Sequence, residues 1–157
     1  MTQADLATLI ENQINDLTTA WVDAVRADPR IRSDGDLSEH GLRDHIPAVI
    51  EEICELLRSG ESPGLTNTRE ARVHTYVRFC QGYRARDLVR EMSLLRLTLH
   101  DHLTASLSGK WTDVSLDAYA QVLRSINLYI DEELRYAISV YTEATKPHDP
   151  GNSTHES

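Results

Sequence analysis

Residues 115–144 read SLDAYAQVLRSINLYIDEELRYAISVYTEA. Val122, Leu123, Ile126, Ile130, Leu134, Ala137, Ile138 and Tyr141 recur there at three- and four-residue steps. That spacing lines one face of a helix, because 3.6 residues complete a turn. A helix beginning near Asp113 or Ser115 and running to Ala144 rises roughly 45 Å at about 1.5 Å per residue. A compact domain of this chain length is only about 40 Å across, from a radius of gyration near ~15 Å. The helix therefore spans or overhangs its own domain, and a homodimer through the last two long helices is expected.

Every other patterned segment also has the helical period. Residues 84–106 carry Leu88, Met92, Leu95, Leu99 and Leu103, with Gly109 beyond them. Residues 68–80 are shorter, with Ala71, Val73, Val77 and Cys80 as the expected apolar positions and Gly82 as the stop. The second segment holds Leu42, Ile46, Val49, Ile50, Ile53, Leu56 and Leu57, with Ser38 as its N-cap and Gly60 at its end. Pro47 falls inside it, and a residue without an N–H predicts a kink or break near His45-Ile46. The first segment runs through Leu6, Leu9, Ile10, Ile14, Leu17, Trp21, Ala24 and Val25. Thr2 and Asp5 form a capping pair at its start, and Asp28-Pro29 ends it. The expected architecture is an all-α bundle of five main helices, or six if Pro47 divides the second. Residues 1–145 form the domain, and the polar tail 146–157 is expected to be disordered.

Composition narrows the function. The 157 residues fit one domain with a core of its own. A net charge of −9 opposes general nucleic-acid binding and docking on anionic lipid. Cys54 and Cys80 make neither a metal nor a disulfide pattern, which suits a reducing cytosol. The start lacks signal-peptide character, and no apolar run approaches the roughly 20 residues of a membrane span. A cytoplasmic location is expected.

Catalytic chemistry is hard to find. Neither a nucleophile triad, a glycine-rich phosphate loop nor a cysteine cluster is visible. His100-Asp101-His102 are too close in sequence to converge as metal ligands on a helix. Glu70 and His74 share a helical face, but a carboxylate-bridged metal bundle needs Glu-x-x-His from two helices. They read as a surface pair, and Glu51, Glu52 and Glu55 as a solvated face. Trp21 and Trp111 read as core and loop-packing residues. Arg84, Arg86, Arg90 and Arg96 either balance Asp87, Glu91 and Asp101 or receive a carboxylate or a docking partner.

One stretch goes further. His74-Thr75-Tyr76-Val77-Arg78-Phe79-Cys80-Gln81-Gly82-Tyr83, followed by Leu88-Val89-Arg90-Glu91-Met92 and Leu94-Leu95-Arg96, is similar to the RsbR/RsbRD N-terminal domain family. So are Asp28-Pro29-Arg30-Ile31, Leu42-Arg43-Asp44-His45-Ile46-Pro47 and the late Ile126-Asn127 with Ile130-Asp131. The family often has glycine after the histidine, where this chain has Thr75. The resemblance implies a globin-like fold, usually without haem, acting as a dimeric sensory or protein-docking module of stressosome regulators and bacterial histidine kinases. The chain carries no STAS or kinase region, so its expected output is through a separate partner such as a histidine kinase or stress-response regulator.

The defining constellation is His74, Arg78, Gln81, Gly82, Tyr83, Glu91 and Arg96. Gly82 is expected to take a left-handed backbone, and Tyr83, Glu91 and Arg96 to form a buried polar network. No catalytic or metal-ligating residue is assigned. Two alternatives stay open beside the non-enzymatic reading. The globin-like resemblance puts His74 where an axial ligand would sit, which makes haem a possible cofactor. His74 with Arg78 one turn later also has a faint likeness to a histidine phosphotransfer site. A lone helical histidine is, equally, an ordinary hydrogen-bonded core residue.

Overall fold

The computed structural model describes residues 1–33 and 35–146. Among the described residues seven α-helices form: α1 (Gln3–Glu11), α2 (Ile14–Ala27), α3 (Glu39–Arg43), α4 (Ile46–Ser59), α5 (Arg69–Cys80), α6 (Ala85–Ser106) and α7 (Leu116–Ala144). One 3₁₀ turn, Trp111–Asp113, links α6 to α7, and no strand occurs among the described residues. This is the all-α, globin-like bundle expected, cut more finely. The expected disordered tail lies outside the described residues apart from Lys146.

The extra divisions have local causes. Thr2 and Asp5 make a reciprocal capping box that starts α1. The first segment then breaks at Asn12-Gln13, where the Gln13 amide turns back to the Leu9 carbonyl at 3.1 Å and donates to Ser106 of α6 at 2.7 Å. Its apolar stripe continues in phase across the break, from Ile10 to Leu17, so periodicity alone could not mark it. The second segment divides where Pro47 predicts. Ser38 caps α3, His45 adopts a left-handed φ of 72°, and Pro47 sits in the first turn of α4. That placement spares the proline a clash inside a continuous helix.

α7 is the axis of the domain. It packs against α5 and α6 along its length and meets α1 and α4 as well, while α1 lies on α4 and α2 on α6. The core they enclose includes Leu6, Leu17, Trp21, Leu42, Ile46, Ile50, Ile53, Leu57, Leu88, Met92, Leu95, Leu99, Val122, Ile126 and Ile130, none more than 1% exposed. Trp21 is a core residue as expected, while Trp111 stays 45% exposed and meets Tyr119 edge-on. Ile138, read as part of the inward stripe of α7, instead points outward at 67% exposure. Among the described residues no helix is long and apolar enough to cross a membrane.

Candidate functional site

α5 departs most from its sequence reading. Its expected apolar positions, Val73 and Val77, are only half-buried, and Cys80 is exposed. The face it turns inward is Ala71, His74, Thr75 and Arg78. A helix can bury such a face only if partners across the interface satisfy it, since an unpaired buried charge costs several kcal/mol. α6 and α7 each supply one glutamate. Glu91 and Glu133 are both fully buried, as are His74, Thr75 and Arg78.

These side chains close on the imidazole from both sides. His74 Nδ1 lies 2.7 Å from Glu133 Oε1, and Nε2 lies 3.0 Å from Glu91 Oε1. Thr75 Oγ1–H donates to the same Glu133 oxygen at 3.1 Å, and Arg78 Nε–H donates to the same Glu91 oxygen at 2.9 Å. Only the doubly protonated ring can donate to both carboxylates at once. Burial by itself pushes the imidazole pKa down, but Glu133 and Glu91 outweigh it and raise His74 to about 9. Burial also raises the Glu133 carboxyl, with His74 and Thr75 opposing it. Glu91 goes the other way: burial is outweighed by His74 and Arg78, and its carboxyl is lowered. Two cations thus face two carboxylates, and the group titrates as a unit.

Arg78 extends the cluster to α3. Its Nη2 donates to the Leu42 carbonyl at 2.7 Å, and its Nη1 to the Gly41 carbonyl at 3.1 Å and the Gln81 Oε1 at 2.9 Å. The guanidinium carbon sits 5.1 Å from the centre of the Tyr83 ring. Trp21 of α2 donates its indole N–H to the Glu91 carbonyl at 3.1 Å. Tyr141 of α7 donates to the Tyr83 carbonyl at 2.7 Å. Gly82, at φ +79°, makes the left-handed turn that brings Tyr83 beneath Arg78. One cluster therefore ties α2, α3, α5, α6 and α7 together.

Of the seven residues expected to define the domain, His74, Arg78, Gln81, Tyr83 and Glu91 converge here, and Gly82 shapes the turn beside them. Arg96 does not join. It is half-buried, with Nη1 3.8 Å from Asp131 on the outer side of the α6–α7 pair. Glu133 and Thr75 were missed as participants. The one available signal was that Glu133 interrupts the stripe Ile126–Ile130–Ala137 at an inward position. The Glu70–His74 surface pair is also corrected, because His74 is buried and points to α6 and α7. Glu52 is not merely solvated: it accepts the Tyr129 hydroxyl at 2.6 Å and the Glu70 backbone N–H at 3.1 Å, bracing the start of α5.

The geometry bears on the two alternatives. Both ring nitrogens of His74 are engaged by carboxylates, so neither offers a lone pair to a haem iron without dismantling the cluster. The same full burial keeps the ring from a phosphoryl donor on another protein. The His74, Glu91 and Glu133 side chains are fully buried.

The most chemically distinctive buried residues of this helical domain are spent on locking its helices together. Residues 15–146 match the family model described as the RsbT co-antagonist protein rsbRD N-terminal domain, and the chain belongs to that family. The family is one of stressosome-type signalling sensor domains. Neither a curated protein nor a solved structure matches the chain significantly.

Proposed function

We propose that this protein is a non-enzymatic signal-transduction module that dimerises through α6 and α7 and passes its state to a protein partner. Its partner is a histidine kinase or a stress-response regulator, and family membership supports stressosome-type protein interactions in general. The observation that carries the reading is the two-sided character of the α6–α7 pair. Its inner face holds the Glu91–His74–Glu133 cluster, while its outer face exposes Val89, Leu97, Leu128 and Ile138 at 42%, 49%, 36% and 67%. A second copy covering that face would sense any change in how α6 and α7 pack, because cores rearrange between discrete packings. A stimulus can shift the pair only as far as it binds one packing better than the other. The free cysteines, Cys54 and Cys80, fit action in the reducing cytoplasm.

Sedimentation equilibrium tests the dimer. The expected species is twice the 17.7 kDa chain mass. Leu97→Glu with Ile138→Glu should yield the monomer with an unchanged helical circular dichroism spectrum. A wild-type monomer at high micromolar concentration would remove this mechanism.

A further inference from the structure

A second group of charged residues lies apart from the buried cluster, where the end of α2 meets the start of α6. An open cleft of about 560 Å³ is lined there by Pro29, Arg30, Arg32, Arg86 and Arg90. Its size falls in the range of small-molecule sites, which run to roughly 300–1,000 Å³. Four guanidinium groups around one cleft is an unexpected concentration in a chain of net charge −9.

Two carboxylates set these arginines in place from below. Asp28, its side chain 5% exposed, accepts the Arg30 backbone N–H at 2.9 Å, Arg30 Nε–H at 3.2 Å, Arg30 Nη2–H at 3.5 Å and Arg90 Nε–H at 2.6 Å. The Arg30 N–H first, and Arg90 next, hold the Asp28 carboxyl down to about 2, so these pairs persist at any physiological pH. Asp87, fully buried, accepts the backbone N–H groups of Arg32 and Ser33 at 3.3 and 3.1 Å and lies 3.8 Å from Arg86 Nε.

The way these contacts are made leaves donors over. Arg90 spends its Nε on Asp28, and Arg86 approaches Asp87 through its Nε, so the terminal Nη groups of both have no hydrogen-bond partner among the described residues. Arg32 contributes its backbone to Asp87 and leaves its guanidinium unpaired among those residues. With Arg84, 3.5 Å from Asp87, the described residues place five cations against two carboxylates. The Arg84 and Arg86 side chains are 48% and 70% exposed, so solvent screens their like charges and leaves them accessible to an anion.

We infer that this cleft binds a small polyphosphorylated anion, with the outward Nη groups of Arg32, Arg86 and Arg90 holding a di- or triphosphate group beside the Asp28-bound Arg30. A guanidinium fork matches a phosphate edge with two parallel hydrogen bonds. A single phosphate presents too few edges for three forks spread around the cleft, whereas a chain of two or three engages them together. Pro29 and the arginine stems leave room for a less polar remainder of the ligand. Arg90 precedes Glu91 in α6, so the bound anion would rest one residue from the buried cluster.

The test is titration calorimetry at low ionic strength with tripolyphosphate, pyrophosphate and orthophosphate, alongside amide chemical shifts of the wild-type protein. Tripolyphosphate should bind at least about tenfold tighter than orthophosphate, with the largest shifts at residues 30–33 and 85–90. Arg32→Ser with Arg86→Ser should weaken it by about tenfold or more, since both charge-assisted donor sets are lost. Arg124→Ser, an exposed arginine on α7, should leave affinity within about twofold and so exclude a general charge effect. Absence of binding at millimolar tripolyphosphate would overturn the inference. So would equal affinity for orthophosphate, or shifts centred elsewhere on the domain.

Discussion

Replacing His74 with glutamine removes the buried cation while keeping a polar side chain of similar reach between Glu91 and Glu133. In the wild type the imidazole, ordinarily at 6.5, is raised to about 9 by the two carboxylates facing it. That displacement corresponds to about 3 kcal/mol in favour of the charged form. Breaking a buried ion pair by removing one partner independently costs about 3–5 kcal/mol, so the two routes agree in size. The sign follows from linkage. A raised folded-state value means the contribution is complete below 6.5 and disappears as pH climbs through about 9. Urea denaturation of both proteins at about pH 6 and about pH 10 reads the effect, because titrating groups outside the cluster cancel in the difference. The wild type should lead by several kcal/mol in acid, and its lead should shrink by about 3 kcal/mol in alkali. A stability gap that stays constant across that range would show that the charge on His74 is not what holds α5 to α6 and α7.

Three further outcomes follow from named contacts. Arg78→Lys keeps the charge but loses the fork that reaches the Gly41 and Leu42 carbonyls, and should cost about 2–4 kcal/mol by chemical denaturation. Trp21→Phe deletes the indole donor to the Glu91 carbonyl and should lower stability by about 1 kcal/mol in the same assay, with helical content unchanged. Gly82→Ala puts a Cβ into open space at φ +79°, so its cost should be backbone strain alone, about 1–2 kcal/mol, whereas Gly64→Ala should be neutral or slightly stabilising. Thermal melts of the two glycine variants separate those cases.

The legible parts of this fold are those written in local rules. The stripe Val122–Ile126–Ile130 announces α7, Pro47 announces the α3–α4 break, and Gly82 announces a left-handed turn, because each depends on period or on a single residue's backbone chemistry. The site was legible only in part. His74, Arg78, Gln81, Tyr83 and Glu91 stand out as a constellation through family resemblance, yet they were grouped with Arg96, which belongs to the surface. Glu133 passed unnoticed because a glutamate among Asp131, Glu132 and Arg135 looks like solvated charge until its helical phase is compared with Ile126 and Ala137.

The sequence by itself determined an all-helical chain, the positions of its main helices and its place among RsbRD-type N-terminal domains. Each of these rests on contacts within a few turns or on the order of short motifs. Only the tertiary structure decided which face of α5 is inward. By hydropathy Val73 and Val77 should be buried, and His74 and Arg78 exposed. Instead Val73 and Val77 are half-buried and His74 and Arg78 fully buried, because Glu91 and Glu133, 17 and 59 residues from His74, arrive from two other helices to neutralise the charges. The energy of burying a charge depends on the partner it meets inside, and that partner is known only once the helices have packed.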